Sequence, residues 1–73
     1  MFGPRLRARR LQAGLKQVEL AARAGIRAHT LWRYEADKTV PSTRVLQRLA
    51  EALGTTVDVL LSDGKQSRRP MSS

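Results

Sequence analysis

Seventy-three residues suffice for one small domain and leave no material for a deep substrate cavity, because a chain of this length barely offsets its conformational entropy with a single core. Fourteen Lys and Arg against six Asp and Glu give a net charge of +8 and an isoelectric point near 11.6, which points to polyanions as partners. With no Cys and a single His, disulfide staples, zinc ribbons, thiol nucleophiles and two-His metal spacings are excluded, so neither a metal nor another cofactor is expected. A lone His without a nucleophile at a recognisable spacing also supports no catalytic constellation, and the chain reads as a non-enzyme. No apolar run has the length of a signal peptide or a membrane span, so a cytoplasmic protein is expected.

Helical periodicity recurs along the chain and strand-like alternation does not, which makes the expected fold all-α. The first helix begins at Gly3-Pro4, where Pro suits a first helical turn, and runs to Ala13 with a stop at Gly14; Phe2, Leu6, Arg10 and Ala13 form its inward stripe. A second short helix fits residues 17–24, with Leu20, Ala21 and Ala24 on one face, Gly25 ending it and Ile26 anchoring the turn. The third covers about residues 28–35. Leu31 and Tyr34 point inward there, whereas Ala28, His29, Trp32 and Arg33 fall together on the opposite side.

Residues 36–41 read as a loop, because they hold turn formers and because Val40 precedes Pro41. Ser42 caps a clean amphipathic helix over residues 43–53, built on Val45, Leu46, Leu49, Ala50 and Leu53 and stopped at Gly54. A last short helix runs from about Thr56 to Leu61. Thr55 and Asp58 suggest its capping box, with Asp in place of the usual Glu, and Val57, Leu60 and Leu61 are expected to close the core. Residues 62–73 have turn formers, three cations and no periodicity, and read as a disordered basic tail beyond a single domain spanning residues 1–61.

The charge is unevenly spread along these elements. Residues 1–27 hold seven cations and only Glu19 against them, while Arg33, Lys38, Arg44 and Arg48 are cancelled by Glu35, Asp37, Glu51 and Asp58 over residues 28–61. A solvated helix face explains Arg5, Arg7 and Arg9 at least as well as a ligand does. Lys16 and Gln17, by contrast, open the second helix, where free backbone N–H groups and the positive dipole end suit a phosphate.

Two helices joined by a tight Gly-containing turn, the second with a polar and aromatic outer face, have the layout of a helix-turn-helix. The run from Gly14 to Ile26, followed by Thr30-Leu31-Trp32-Arg33-Tyr34-Glu35, Lys38 to Pro41, Leu46 to Gly54 and Val57 to Leu61, resembles the DNA-binding domain of the lambdoid phage repressor family. The likeness covers about residues 4–61 without a large gap. It implies a compact lambda-repressor-like domain of five helices in which helices 2 and 3 form the helix-turn-helix and helix 3 enters the major groove of double-stranded DNA. The function so implied is a sequence-specific transcriptional regulator, a repressor that occupies an operator and is associated with the nucleoid when bound. An alternative is a DNA-binding antitoxin or accessory subunit of a toxin-antitoxin or restriction-modification system.

Site residues follow from the resemblance together with base chemistry. Arg27, Ala28, His29, Trp32 and Arg33 are the candidates for base readout: Arg can bind guanine bidentately, His can donate or accept, and a small Ala allows close approach or contact with a thymine methyl. Where many relatives carry an adenine-reading Gln, this chain has Ala28, so its preferred sequence should differ. Trp32 is a second departure, and could pack on sugar and phosphate, fill the groove edge or add to the core. Phosphate contacts are assigned to Arg10, Lys16, Gln17, Lys38, Thr39 and Arg44. Arg10 stands on an apolar stripe and needs a carboxylate, for which the resemblance offers Glu35. Asp37, where relatives commonly have Gly, tolerates a left-handed backbone. A weak homodimer on a palindromic operator is implied, with contacts at Pro41, Val57, Val59 and Leu60.

Overall fold

The computed structural model describes residues 2–61. These form five α-helices, α1 (Phe2–Gln12), α2 (Gln17–Ala24), α3 (Ala28–Glu35), α4 (Thr43–Leu53) and α5 (Val57–Leu61), and among the described residues there is no strand. The tail expected over residues 62–73 lies outside the described residues.

Local chemistry sets the helix ends. Gly25 takes φ 73° and ψ 30°, so that its own N–H returns to the Ala22 carbonyl and the N–H of Ile26 to that of Ala21. Asp37 does the same for α3 at φ 58°: its N–H reaches the Tyr34 carbonyl and that of Lys38 the Arg33 carbonyl. The left-handed turn expected at this Asp is therefore present. At the start of α4, the Ser42 hydroxyl accepts the Val45 N–H at 3.3 Å. The cap of α5 corrects the sequence reading, because Thr56 rather than Thr55 accepts there, from Val59 N–H at 3.2 Å. Asp58 thus sits in the first turn of α5, where its charge favours the helix dipole without closing a box.

Packing joins α1 to α3 and α5, α2 to α3 and α4, and α4 to α5. Each helix contributes one leucine of 0% exposure, namely Leu6, Leu20, Leu31, Leu49 and Leu60, and these five meet in a single core. Ala21, Ala24 and Ala50 keep α2 and α4 close, while Phe2, Leu15, Ile26, Val45, Leu53 and Val57 pack around the edge. Two expected core positions face outward instead. Ala13 lies past the end of α1 and is exposed, and Leu61 is exposed because one residue beyond the buried Leu60 is a rotation of about 100° on a helix.

The crossing of α1 over the end of α3 depends on a residue without a side chain. A Cβ at Gly3 would collide with the Glu35 carbonyl oxygen and stand 2.8 Å from that of Tyr34. The Gly3 N–H, unpaired within its own first turn, donates to Asp37 Oδ1 at 2.9 Å. A single Asp therefore both turns the chain after α3 and caps α1.

Candidate nucleic-acid interface

Arg10 is 7% exposed, and its guanidinium donates from Nε to Glu35 Oε2 at 2.7 Å and from Nη2 to Glu35 Oε1 at 3.1 Å. Nη1 donates to the Leu15 carbonyl at 2.9 Å, and Gln17 Nε2 donates to Glu35 Oε1 at 3.0 Å. The expected ion pair is thus present as a bidentate one, locking α1 to the end of α3, with α2 joined to it through Gln17. Each guanidinium nitrogen donates once inside the protein, which uses three of its five N–H groups; the phosphate role expected for Arg10 would fall to the remaining two.

Above this pair lies an open cavity of about 530 Å³, lined among others by Arg7, Arg10, Lys16, Gln17, Trp32 and Glu35. Lys16 is the residue before α2, and its N–H is taken by the Glu19 carboxylate at 2.8 Å. Gln17 spends one amide hydrogen on Glu35 and keeps another for a ligand. Arg7, whose place in the sequence suits a solvated helix face, lines this cavity as well. The available signal was its spacing, three residues before the inward Arg10 and hence on a neighbouring strip of α1.

The outward face of α3 adjoins the cavity through Trp32. Its indole is 45% exposed and stacks on the His29 imidazole, with ring centroids 5.8 Å apart and planes 17° from parallel. This sets aside the reading of Trp32 as extra core. Arg27 precedes the first turn of α3 and is exposed, as is His29, while Ala28 and Arg33 are half-buried, Ala28 against the core. Lys38, Thr39 and Arg44 lie in the α3–α4 loop and the first turn of α4, apart from the cavity wall, with Lys38 and Arg44 exposed.

Arg5, also expected to be solvated, donates from Nη1 to the Leu61 carbonyl at 3.2 Å and so ties α1 to the end of α5. Two of the expected dimer contacts need correction. Leu60 is at 0% exposure in the core and Pro41 is buried as well, so neither offers surface to a second copy. Val57 and Val59 remain half-exposed, and the large apolar side chains open to solvent in this part of the chain are Val40, at 85%, and Leu61, at 51%.

A family model described as a helix-turn-helix domain matches residues 1–62, the whole of the five-helix unit. The chain belongs to that helix-turn-helix family. It is 36% identical over 61 residues to the SPbeta prophage-derived HTH-type transcriptional regulator YonR of Bacillus subtilis strain 168; the match takes in 84% of this chain and 56% of that protein's length. Among solved structures, the solution structure of the DNA-binding domain of the P22 c2 repressor is similar at a TM-score of 0.81 and 31% identity, covering 84% of this chain and 80% of that one. The crystal structure of the P22 c2 repressor in complex with a synthetic operator is similar at a TM-score of 0.79 and 31% identity, covering 84% and 92%. The SinR/SinI protein complex contains a chain matched at a TM-score of 0.82 and 27% identity, covering 94% and 68%. Within this helix-turn-helix fold, α2 and α3 are the two motif helices and Gly25 makes the turn between them. Among the described residues, no helix is long and apolar enough to cross a membrane.

Proposed function

We propose that this chain is a sequence-specific DNA-binding transcriptional repressor that reads the major groove of double-stranded DNA with α3. The observation that carries the reading is the outward face of α3, where the exposed His29 stacks on Trp32, which itself lines the cavity with Arg7 and Lys16; Arg27 is exposed just before the helix and Arg33 half-buried along it. The two similar P22 c2 repressor structures support it, one being a DNA-binding domain and the other a complex with an operator. Side chains of α3 that bear donors supply the base contacts, with Ala28 leaving room for close approach. Lys16, Gln17, Lys38, Thr39 and Arg44 hold phosphates and set the register without carrying sequence information. Two copies bind a palindromic site, meeting through Val57 and Val59, with a small contact area that makes the dimer weak without DNA.

In vitro selection from a random duplex library, at physiological salt, tests the proposal. The expected result is a shared motif with two inverted halves about one helical turn apart. Arg33→Ala and His29→Ala should each relax the preference at individual base pairs, by about 1–3 kcal/mol per lost contact. Recovery of no shared motif, with binding unchanged in both variants, would refute sequence-specific reading.

A further inference from the structure

The cavity between α1, α2 and α3 has a settled floor and an unsettled rim. On the floor the Arg10 guanidinium and Glu35 carboxylate neutralise one another, and Gln17 completes the carboxylate's shell. On the rim, Arg7 from α1 and Lys16 from the start of α2 have side-chain cations without a carboxylate partner among the described residues. One wall is the Trp32 indole, 45% exposed, held by its stack on His29 and outside the core cluster.

Two unpaired cations beside an exposed apolar plane suit a ligand that alternates anionic and apolar parts. A free phosphate offers only the first of these. The backbone of duplex DNA offers both at every nucleotide, a phosphate followed by the weakly polar face of a deoxyribose. We infer that the cavity seats one sugar–phosphate unit of the duplex, with Arg7 and Lys16 on the phosphate and the Trp32 indole against the deoxyribose. The inference rests on the DNA-binding reading and adds to it Arg7, Trp32 and a coupling between two kinds of contact. Because the same indole stacks on His29, seating the backbone orients a base-reading side chain, and the two contacts hold one register.

Trp32 is the only Trp of the chain, so quenching of its fluorescence by acrylamide reports directly on the seat. With the full chain at low salt, a random-sequence duplex of about 20 base pairs, two helical turns, should shield Trp32. Inorganic phosphate at matched ionic strength should leave it accessible. Arg7→Gln should reduce the slope of log K against log salt by about 0.9, the signature of one lost phosphate contact, whereas Arg9→Gln, which removes the same charge from an exposed position outside the cavity, should change it far less. Trp32→Ala should weaken binding of the random duplex severalfold at unchanged slope, since an apolar contact releases no counterions; circular dichroism establishes that the variant is folded.

A bound duplex that leaves Trp32 as quenchable as in the free protein, or equal slope changes for Arg7→Gln and Arg9→Gln, would overturn the seat and leave the DNA-binding reading standing. Shielding by inorganic phosphate alone would reduce the cavity to a simple anion site and overturn the sugar contact. Absence of any duplex binding at low salt would overturn the seat and the DNA-binding reading together.

Discussion

Removing Arg10 strands Glu35, whose side chain is 4% exposed and would keep only the Gln17 amide as a partner. Arg10→Leu should therefore destabilise the fold by about 3 kcal/mol, most of it the cost of an uncompensated buried charge. Arg10→Leu with Glu35→Leu should recover much of that loss. Urea unfolding of the two single variants and the double variant measures the coupling, and a value of zero would mean that the pair is energetically inert. That Arg10 needed a carboxylate was legible in the sequence, because a cation on an apolar helix stripe cannot remain unpaired. That Leu15 and Gln17 also bind into the pair was not legible, since a backbone carbonyl after a turn has no residue-type signature and Gln17 looked complete as a helix start. Asp37 shows the same division. Its left-handed backbone followed from its chemistry, but its bond to the Gly3 N–H exists only because α1 and the end of α3 cross.

Helix by helix, the boundaries of α2, α3 and α4 follow from local punctuation, because Gly25, Asp37, Ser42 and Gly54 set them through backbone turns and bonds that span no more than five residues. Burial on a short helix is harder to read. In α5, Leu60 and Leu61 are equally apolar, and only contact with the other four leucines decides that the first goes in and the second stays out. The misplaced dimer contacts have this cause, since Leu60 and Pro41 are spent on the protomer's own interior. In the sequence Gly3 marks only a helix start, yet it allows the backbones of α1 and α3 to touch. Gly3→Ala should push α1 away from Glu35 and cost about 1–3 kcal/mol, as overpacking does. Thermal unfolding by circular dichroism measures this; an unchanged Tm would show that α1 shifts freely and that the close approach is incidental.

Across the whole molecule, the +8 charge resolves into cations with different duties. Arg10 pairs with Glu35 and Arg5 holds the end of α5, while Arg7 and Lys16 border the cavity and Arg27 stands exposed just before α3, the proposed reading helix. If each protomer of the proposed repressor neutralises about four phosphates, log K against log salt should fall with a slope of about −3.6 per protomer and about −7 for a bound pair. Fluorescence anisotropy of a labelled duplex over about 50–200 mM salt measures it. A slope near zero would mean that the charge excess takes no part in binding.

Composition, periodicity and the order of short motifs were enough to determine an all-α chain of five helices, its helix-turn-helix and the need of Arg10 for a partner, because helix ends and apolar stripes are set by residues a few positions apart. The tertiary structure alone decided which cations hydrogen-bond internally, that Gly3 must lack a side chain, that Leu60 is core and Leu61 surface, and that Arg7 and Trp32 share a cavity with Lys16 and Gln17. Those outcomes depend on contacts between residues distant in the chain, where sequence spacing carries no information about distance.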